Sequence, residues 1–139
     1  MLLPQTAEYA LRAVTALVLL PNDTNATAVV ISEQSGVPLP YLSKILKRLV
    51  QAELLIGKKG PGGGFKFSKK LHKINLLSVL EAVNYEFDQN HCAFGWDRCN
   101  GKNPCPLHEA FTQLKKSYYN WASETTLAML LTNSPAQQK

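Results

Sequence analysis

The sequence predicts a mainly α chain with one small β-hairpin and a long helix near its C-terminus. Three observations carry this expectation. Apolar residues recur at helical spacing in five separate stretches. A glycine-rich tip, Gly60-Pro61-Gly62-Gly63-Gly64, lies between two short β-like runs. A length of 139 residues, 45% apolar and 18% charged, fits one globular domain, or one small domain plus a dimerisation element.

The elements follow in order. A first helix is expected over residues 6–20, with Ala10, Val14, Leu17 and Val18 on one face. Pro21-Asn22-Asp23-Thr24-Asn25 breaks it. Thr27 is placed to cap a short second helix over 28–35, which Gly36 stops. A third helix runs from Pro38 or Leu39 to Ala52. Leu42, Ile45, Leu46, Leu49 and Val50 form its apolar face. Leu54-Leu55-Ile56 and Phe65-Lys66-Phe67 flank the glycine tip as a hairpin with a mobile loop. A fourth helix over 75–84 turns Leu76, Leu77, Leu80 and Val83 inward. Residues 85–104 read as a long irregular loop, and such loops in compact domains are usually functional or disordered. The last helix is expected over 106–131.

Charge is unevenly spread. The net charge is +5, yet residues 44–73 hold nine Lys or Arg against one acid, Glu53. That segment is the candidate surface for a polyanion. The order of helix, short helix, glycine turn, basic helix and glycine-tipped hairpin is that of a winged helix-turn-helix. In that arrangement the third helix enters the major groove. The chain then divides into a winged helix-turn-helix domain over 1–84, a loop over 85–105, a dimerisation helix over 106–131 and a flexible tail over 132–139.

The candidates to face DNA on the third helix are Leu39, Pro40, Tyr41, Ser43, Lys44, Lys47 and Arg48. Lysines give phosphate attraction, whereas arginine can also read guanine bidentately. Lys58, Lys59 and Lys66 place a wing along phosphates or in the minor groove. A nucleotide phosphate loop does not fit the glycines, because no Gly-Lys-Ser/Thr follows and no G-x-G-x-x-G opens a helix. A helix-turn-helix used only for protein contacts stays open. No secretion signal or membrane-length apolar run is evident, which points to a reducing cytoplasm.

The cysteines fall at Cys92, Cys99 and Cys105, with His108 following, as C-x6-C-x5-C-x2-H. Cys105 and His108 stand three residues apart at a helix start, so they share a face. Three chemistries compete. Buried free thiols make a poor core in a polar, glycine-bearing loop. Structural zinc prefers tighter C-x2–4-C pairs. Widely spaced thiolates suit an iron–sulfur cluster, with one coordination position left for a non-thiolate ligand.

Four segments together resemble the bacterial iron–sulfur winged-helix transcriptional regulator family, the group of IscR, NsrR and RirA. They are Glu8-Tyr9-Ala10-Leu11-Arg12-Ala13, then Ile31 through Gly36-Val37-Pro38 to Tyr41-Leu42 and Ile45-Leu46, then Gly60 to Phe65, then the cysteine loop. The resemblance spans residues 6–131. It implies a homodimer bound to an inverted-repeat DNA operator, with Cys92, Cys99 and Cys105 as cluster ligands. It implies His108 as the fourth ligand of a 2Fe–2S cluster, or Glu8 of the other subunit as the fourth ligand of a 4Fe–4S cluster. The x6 spacing departs from the first pattern and is seen with the second. The signal would be nitric oxide, redox state or iron and cluster supply.

Dimerisation has separate support. Leu107, Phe111, Leu114, Tyr118, Trp121, Thr125 and Ala128 step alternately by four and three, the stripe of a paired helix. The competing regulator is a zinc-structured or cluster-free DNA-binding protein that responds to thiol oxidation. An enzyme is not expected: His72, and His91 beside Cys92, lack an acid partner at useful spacing.

Overall fold

The computed structural model describes residues 3–21, 25–83, 92–94, 102 and 104–132. Helices α1 (Gln5–Leu19), α2 (Ala28–Ser35) and α3 (Leu39–Gln51) precede an antiparallel pair, β1 (Leu55–Lys58) and β2 (Gly64–Phe67). A 3-10 turn at Leu71–Lys73, then α4 (Leu76–Ala82), α5 (His108–Glu124) and α6 (Ala128–Thr132) complete the described elements. Much of the expected loop, including Cys99, His91 and Trp96, lies outside the described residues, as does the tail from residue 133. None of the described helices is long and apolar enough to cross a membrane.

Local chemistry explains the first three helices. Thr27 caps α2, its hydroxyl accepting the Val30 amide at 3.2 Å. Gly36 ends α2 in the left-handed region at φ 75°, where a Cβ would be strained. Ser32 Oγ donates to the Val37 carbonyl at 2.6 Å, and the Val37 amide donates to Ser35 Oγ at 3.2 Å. These bonds fix the turn, so α3 leaves α2 at a set angle. Pro38 then caps α3 and Pro40 occupies its first turn, where a missing amide costs nothing.

The core is the meeting point of those helices. Ala10, Val14, Leu17 and Val18 of α1 meet Ile31 of α2 and Leu42, Ile45, Leu46 and Leu49 of α3. Val79, Leu80 and Val83 close it from α4. Each fully buried Leu or Ile contributes about 1.5–3 kcal/mol, so this face outweighs the weak intrinsic stability of short helices. Asn75 caps α4, accepting the Ser78 amide at 2.8 Å.

The C-terminal region departs from expectation. Instead of one helix over 106–131, the chain is helical over 108–124, extended at Thr125, and helical again over 128–132. Tertiary pairing overrides the helical pattern here. Asn75 and Thr126 form an antiparallel bridge. The Leu76 amide donates to the Thr125 carbonyl at 2.9 Å and the Leu127 amide to the Ile74 carbonyl at 2.8 Å. Leu127 is thereby buried in the core with Ala122. Two threonines, β-branched and at home in extended backbone, give little resistance to that break. Thr125 and Ala128 therefore do not continue the face of α5.

The wing is also tied to the segment before α2. Ala26 pairs with Phe65 through amide–carbonyl bonds of 3.0 and 2.7 Å, adding a third strand-like segment to the hairpin. Asn25 Nδ2 donates to the Gly62 carbonyl at 3.0 Å. Gly64 has φ 128°, and a Cβ there would stand 2.5 Å from the Ala26 oxygen. A Cβ at Gly63 would collide with the Lys58 carbonyl. The glycines thus allow close backbone packing as much as freedom.

Candidate nucleic-acid interface and metal centre

Burial of Leu42, Ile45, Leu46 and Leu49 decides which face of α3 turns outward. Leu39, Pro40, Tyr41, Ser43, Lys44, Lys47 and Arg48 are all exposed. They are not equivalent. Arg48 Nη1 donates to the Val83 carbonyl at the end of α4, at 3.3 Å. A positive side chain at a helix C-terminus complements its partial negative charge. Tyr41 leans toward α1, its ring 5.9 Å from that of Tyr9, and Arg12 lies 5.8 Å over the Tyr9 ring. The Arg48–Val83 and Tyr9–Tyr41 links are not legible in the sequence, because each joins residues far apart in the chain.

The wing extends this surface. Lys58 ends β1 opposite Gly64, Lys59 follows it, and Lys66 pairs with Ile56. All three lysines are exposed. The turn beneath them is closed by the Gly63 amide on the Gly60 carbonyl at 2.9 Å. The result is a set of ammonium groups on an ordered tip, next to the basic face of α3 in sequence.

The second site lies where the chain enters α5. Cys92 is buried and Cys105 half-buried, and their Sγ atoms stand 3.8 Å apart. Two thiolates on one tetrahedral metal at about 2.3 Å from it would themselves be about 3.8 Å apart. The Phe94 amide approaches Cys92 Sγ at 3.4 Å, a donor of the kind that stabilises metal-bound thiolates. The His108 amide donates to the Cys105 carbonyl at 3.0 Å, and its Nδ1 is buried with no hydrogen-bond partner among the described residues. A buried imidazole nitrogen left without a partner is costly, unless a metal or proton donor completes it. No group of three potential ligands forms among the described residues, although Cys92, Cys105 and His108 are all among them; Cys99 lies outside them. The described donors therefore supply a thiolate pair of metal-chelating separation, and His108, although described, does not complete a group of three with it. Glu8, half-exposed on α1, is not joined to them within the described chain.

The third predicted surface is α5. Ala122 is its one buried residue in the described chain. Leu114 is 48% exposed and Trp121 40%, with Leu107 exposed at the cap. Phe111 and Tyr118 are half-buried, and the Tyr118 ring meets Trp121 edge-on at 6.3 Å. Of the seven stripe residues, Leu107, Leu114 and Trp121 are thus exposed, with Phe111 and Tyr118 half-buried between them.

The profile of Rrf2, described as an iron-dependent transcriptional regulator, matches residues 3–133. The chain belongs to the Rrf2 family. Its sequence is 31% identical over 133 residues to the HTH-type transcriptional regulator IscR of Yersinia pseudotuberculosis, covering 96% of this chain and 80% of that one. Two solved structures share the fold. CymR, the global cysteine regulator of B. subtilis, superposes with a TM-score of 0.80 at 13% identity, covering 97% of this chain and 99% of that one. T. potens IscR gives a TM-score of 0.76 at 18% identity, covering 99% and 94%. This Rrf2 chain is accordingly a DNA-binding transcriptional regulator with a winged-helix fold. Within that frame, the Rrf2 basic face is built from α3 and the wing, and its cysteine pair sits at the root of α5.

Proposed function

We propose that this Rrf2 protein is a cytoplasmic homodimer whose binding to an inverted-repeat operator is controlled by an iron–sulfur cluster. Cys92, Cys99 and Cys105 hold it, with His108 as the fourth ligand. The observation that carries this reading is the 3.8 Å approach of the Cys92 and Cys105 sulfurs. His108, whose amide bonds the Cys105 carbonyl and whose Nδ1 is buried without a hydrogen-bond partner among the described residues, is preferred to Glu8 of the partner subunit. An iron–sulfur cluster, when bound, supplies a core sensitive to redox state, nitric oxide and iron supply.

The chain's own residues do the rest. α3 lies in the major groove, with Lys44 and Lys47 on phosphates and its first turns at base edges. Lys58, Lys59 and Lys66 extend the phosphate contact along the wing. The exposed face of α5 pairs with its copy. Half-sites recur about 34 Å apart on B-DNA, so both α3 helices dock only at one spacing. The cysteine segment connects the end of α4 to the start of α5, and α4 in turn meets α3 through Arg48 on Val83. A change in how that segment is held therefore bears on both the dimer helix and the recognition helix.

Ser replacement of Cys92, Cys99 or Cys105, in protein purified without oxygen, should remove bound iron and visible absorbance and change operator affinity. Iron content and operator binding equal to wild type in all three variants would overturn this function. The same sulfur contact favours a second reading, a cluster-free regulator in which Cys92 and Cys105 respond to oxidation as a dithiol. That reading predicts iron-free protein whose operator binding follows thiol oxidation.

A further inference from the structure

We propose that this protein recognises its operator half-site chiefly through the C5-methyl groups of thymines, contacted by Leu39 and Pro40. The inference rests on α3 being the DNA-reading helix and adds what it reads.

The outward face of α3 has an unusual chemical content. With Leu42, Ile45, Leu46 and Leu49 buried, helical spacing of about 100° per residue sets Pro40, Ser43, Lys44 and Lys47 opposite the core, with Leu39 at the edge of that face. From Leu39 to Lys47 there is no Asn, Gln, Arg, Asp or Glu. Together with lysine, which can also reach guanine, those are the side chains that read adenine, guanine and cytosine through paired or directional hydrogen bonds. Arg48, the one arginine on the helix, already donates to the Val83 carbonyl. Tyr41 leans on Tyr9. What is exposed from Leu39 to Lys47 is apolar carbon, the Ser43 hydroxyl, the Tyr41 phenol that leans toward α1, and two ammonium groups.

Each of these has a different reach. A serine hydroxyl hydrogen-bonds to either donor or acceptor and discriminates weakly. Lysine ammonium groups are strongly hydrated point charges on flexible stems, suited to phosphates. Apolar carbon discriminates one group in the major groove, the thymine methyl. A single exposed leucine has no meaning by itself. Leu39, however, is 40% exposed at the first residue of the helix, directly beside an exposed proline, at the end that enters the groove. Both side chains are short and stiff enough to hold a methyl contact with little loss of rotamer freedom.

The test uses the full chain purified without oxygen. Duplexes are selected from a random library at fixed salt, and each thymidine of the enriched half-site is replaced by deoxyuridine, which removes the methyl group alone. Binding is measured by fluorescence anisotropy. At one or two positions, deoxyuridine should weaken binding about fourfold per half-site. Leu39→Ala or Pro40→Ala should bind the parent and the deoxyuridine duplexes equally, as a coupled pair requires. If an enriched operator binds as tightly with deoxyuridine at every thymidine, the inference fails while DNA binding stands. It fails also if the loss persists undiminished in both variants. If no sequence is enriched and no duplex binds, the DNA-reading role of α3 fails, and the inference with it.

Discussion

Replacing both Lys58 and Lys59 with alanine should flatten the salt dependence of operator binding without unfolding the wing. Lys58 is the last residue of β1 and Lys59 follows it, and both side chains are exposed. The tip is held by backbone bonds from Gly63 to Gly60 and by Asn25 on Gly62, none of which uses a lysine side chain. The hairpin therefore survives the change, and thermal midpoints should match wild type. The only acid within residues 44–73 is Glu53, so few internal partners compete for these charges. Each lysine that neutralises a phosphate contributes about 0.9 to the slope of log affinity against log salt. With two wings per dimer, losing all four contacts lowers the slope by about 3.6. Between about 50 and about 200 mM salt, wild-type affinity should then fall about 150-fold further than that of the variant. Fluorescence anisotropy across a salt series reads this directly. An unchanged slope with intact folding would refute the placement of the wing on the phosphate backbone.

Other perturbations separate the remaining roles. His108→Ala should lower iron retention and shift the visible spectrum, whereas Glu8→Ala should leave both unchanged; the opposite pattern assigns the fourth ligand to Glu8. Leu114→Glu combined with Trp121→Glu should yield monomers by analytical ultracentrifugation at the wild-type thermal midpoint, since both side chains are exposed; a persistent dimer would contradict pairing through α5. Gly64→Ala should destabilise the protein by about 1–3 kcal/mol, because the residue must hold φ 128° against the Ala26 carbonyl. Denaturant unfolding checks this, and an unchanged midpoint would show that the Ala26–Phe65 pairing contributes nothing.

Elements governed by their own residues were legible from sequence. Thr27 and Gly36 bracket α2 because a hydroxyl cap and a left-handed glycine act within one turn. The apolar face of α3 was legible for the same reason: its burial pattern is a direct image of helical spacing. What escaped depends on partners distant in the chain. The four-three stripe runs without interruption through Thr125 and Ala128, and nothing local signals the break. It is imposed by Asn75, whose side chain also donates to the Ser123 carbonyl at 3.1 Å. Arg48 looks like any basic residue of a recognition helix until α4 brings Val83 to it. Asn25 gives no sign of its bond to a wing tip 37 residues later. The cysteine spacing suggested metal, yet only the fold shows that Cys92 and Cys105, thirteen residues apart, bring their sulfurs together.

The central claim is that sulfur from this segment holds an iron–sulfur core whose presence sets operator affinity. The most direct measurement combines iron and acid-labile sulfide analysis with Mössbauer spectroscopy on anaerobically isolated protein, followed by operator titrations before and after removal of the iron. The protein should be coloured, with stoichiometric iron and sulfide, and its operator affinity should change when they are lost. Colourless protein that cannot be reconstituted, or equal affinity in both states, would contradict it.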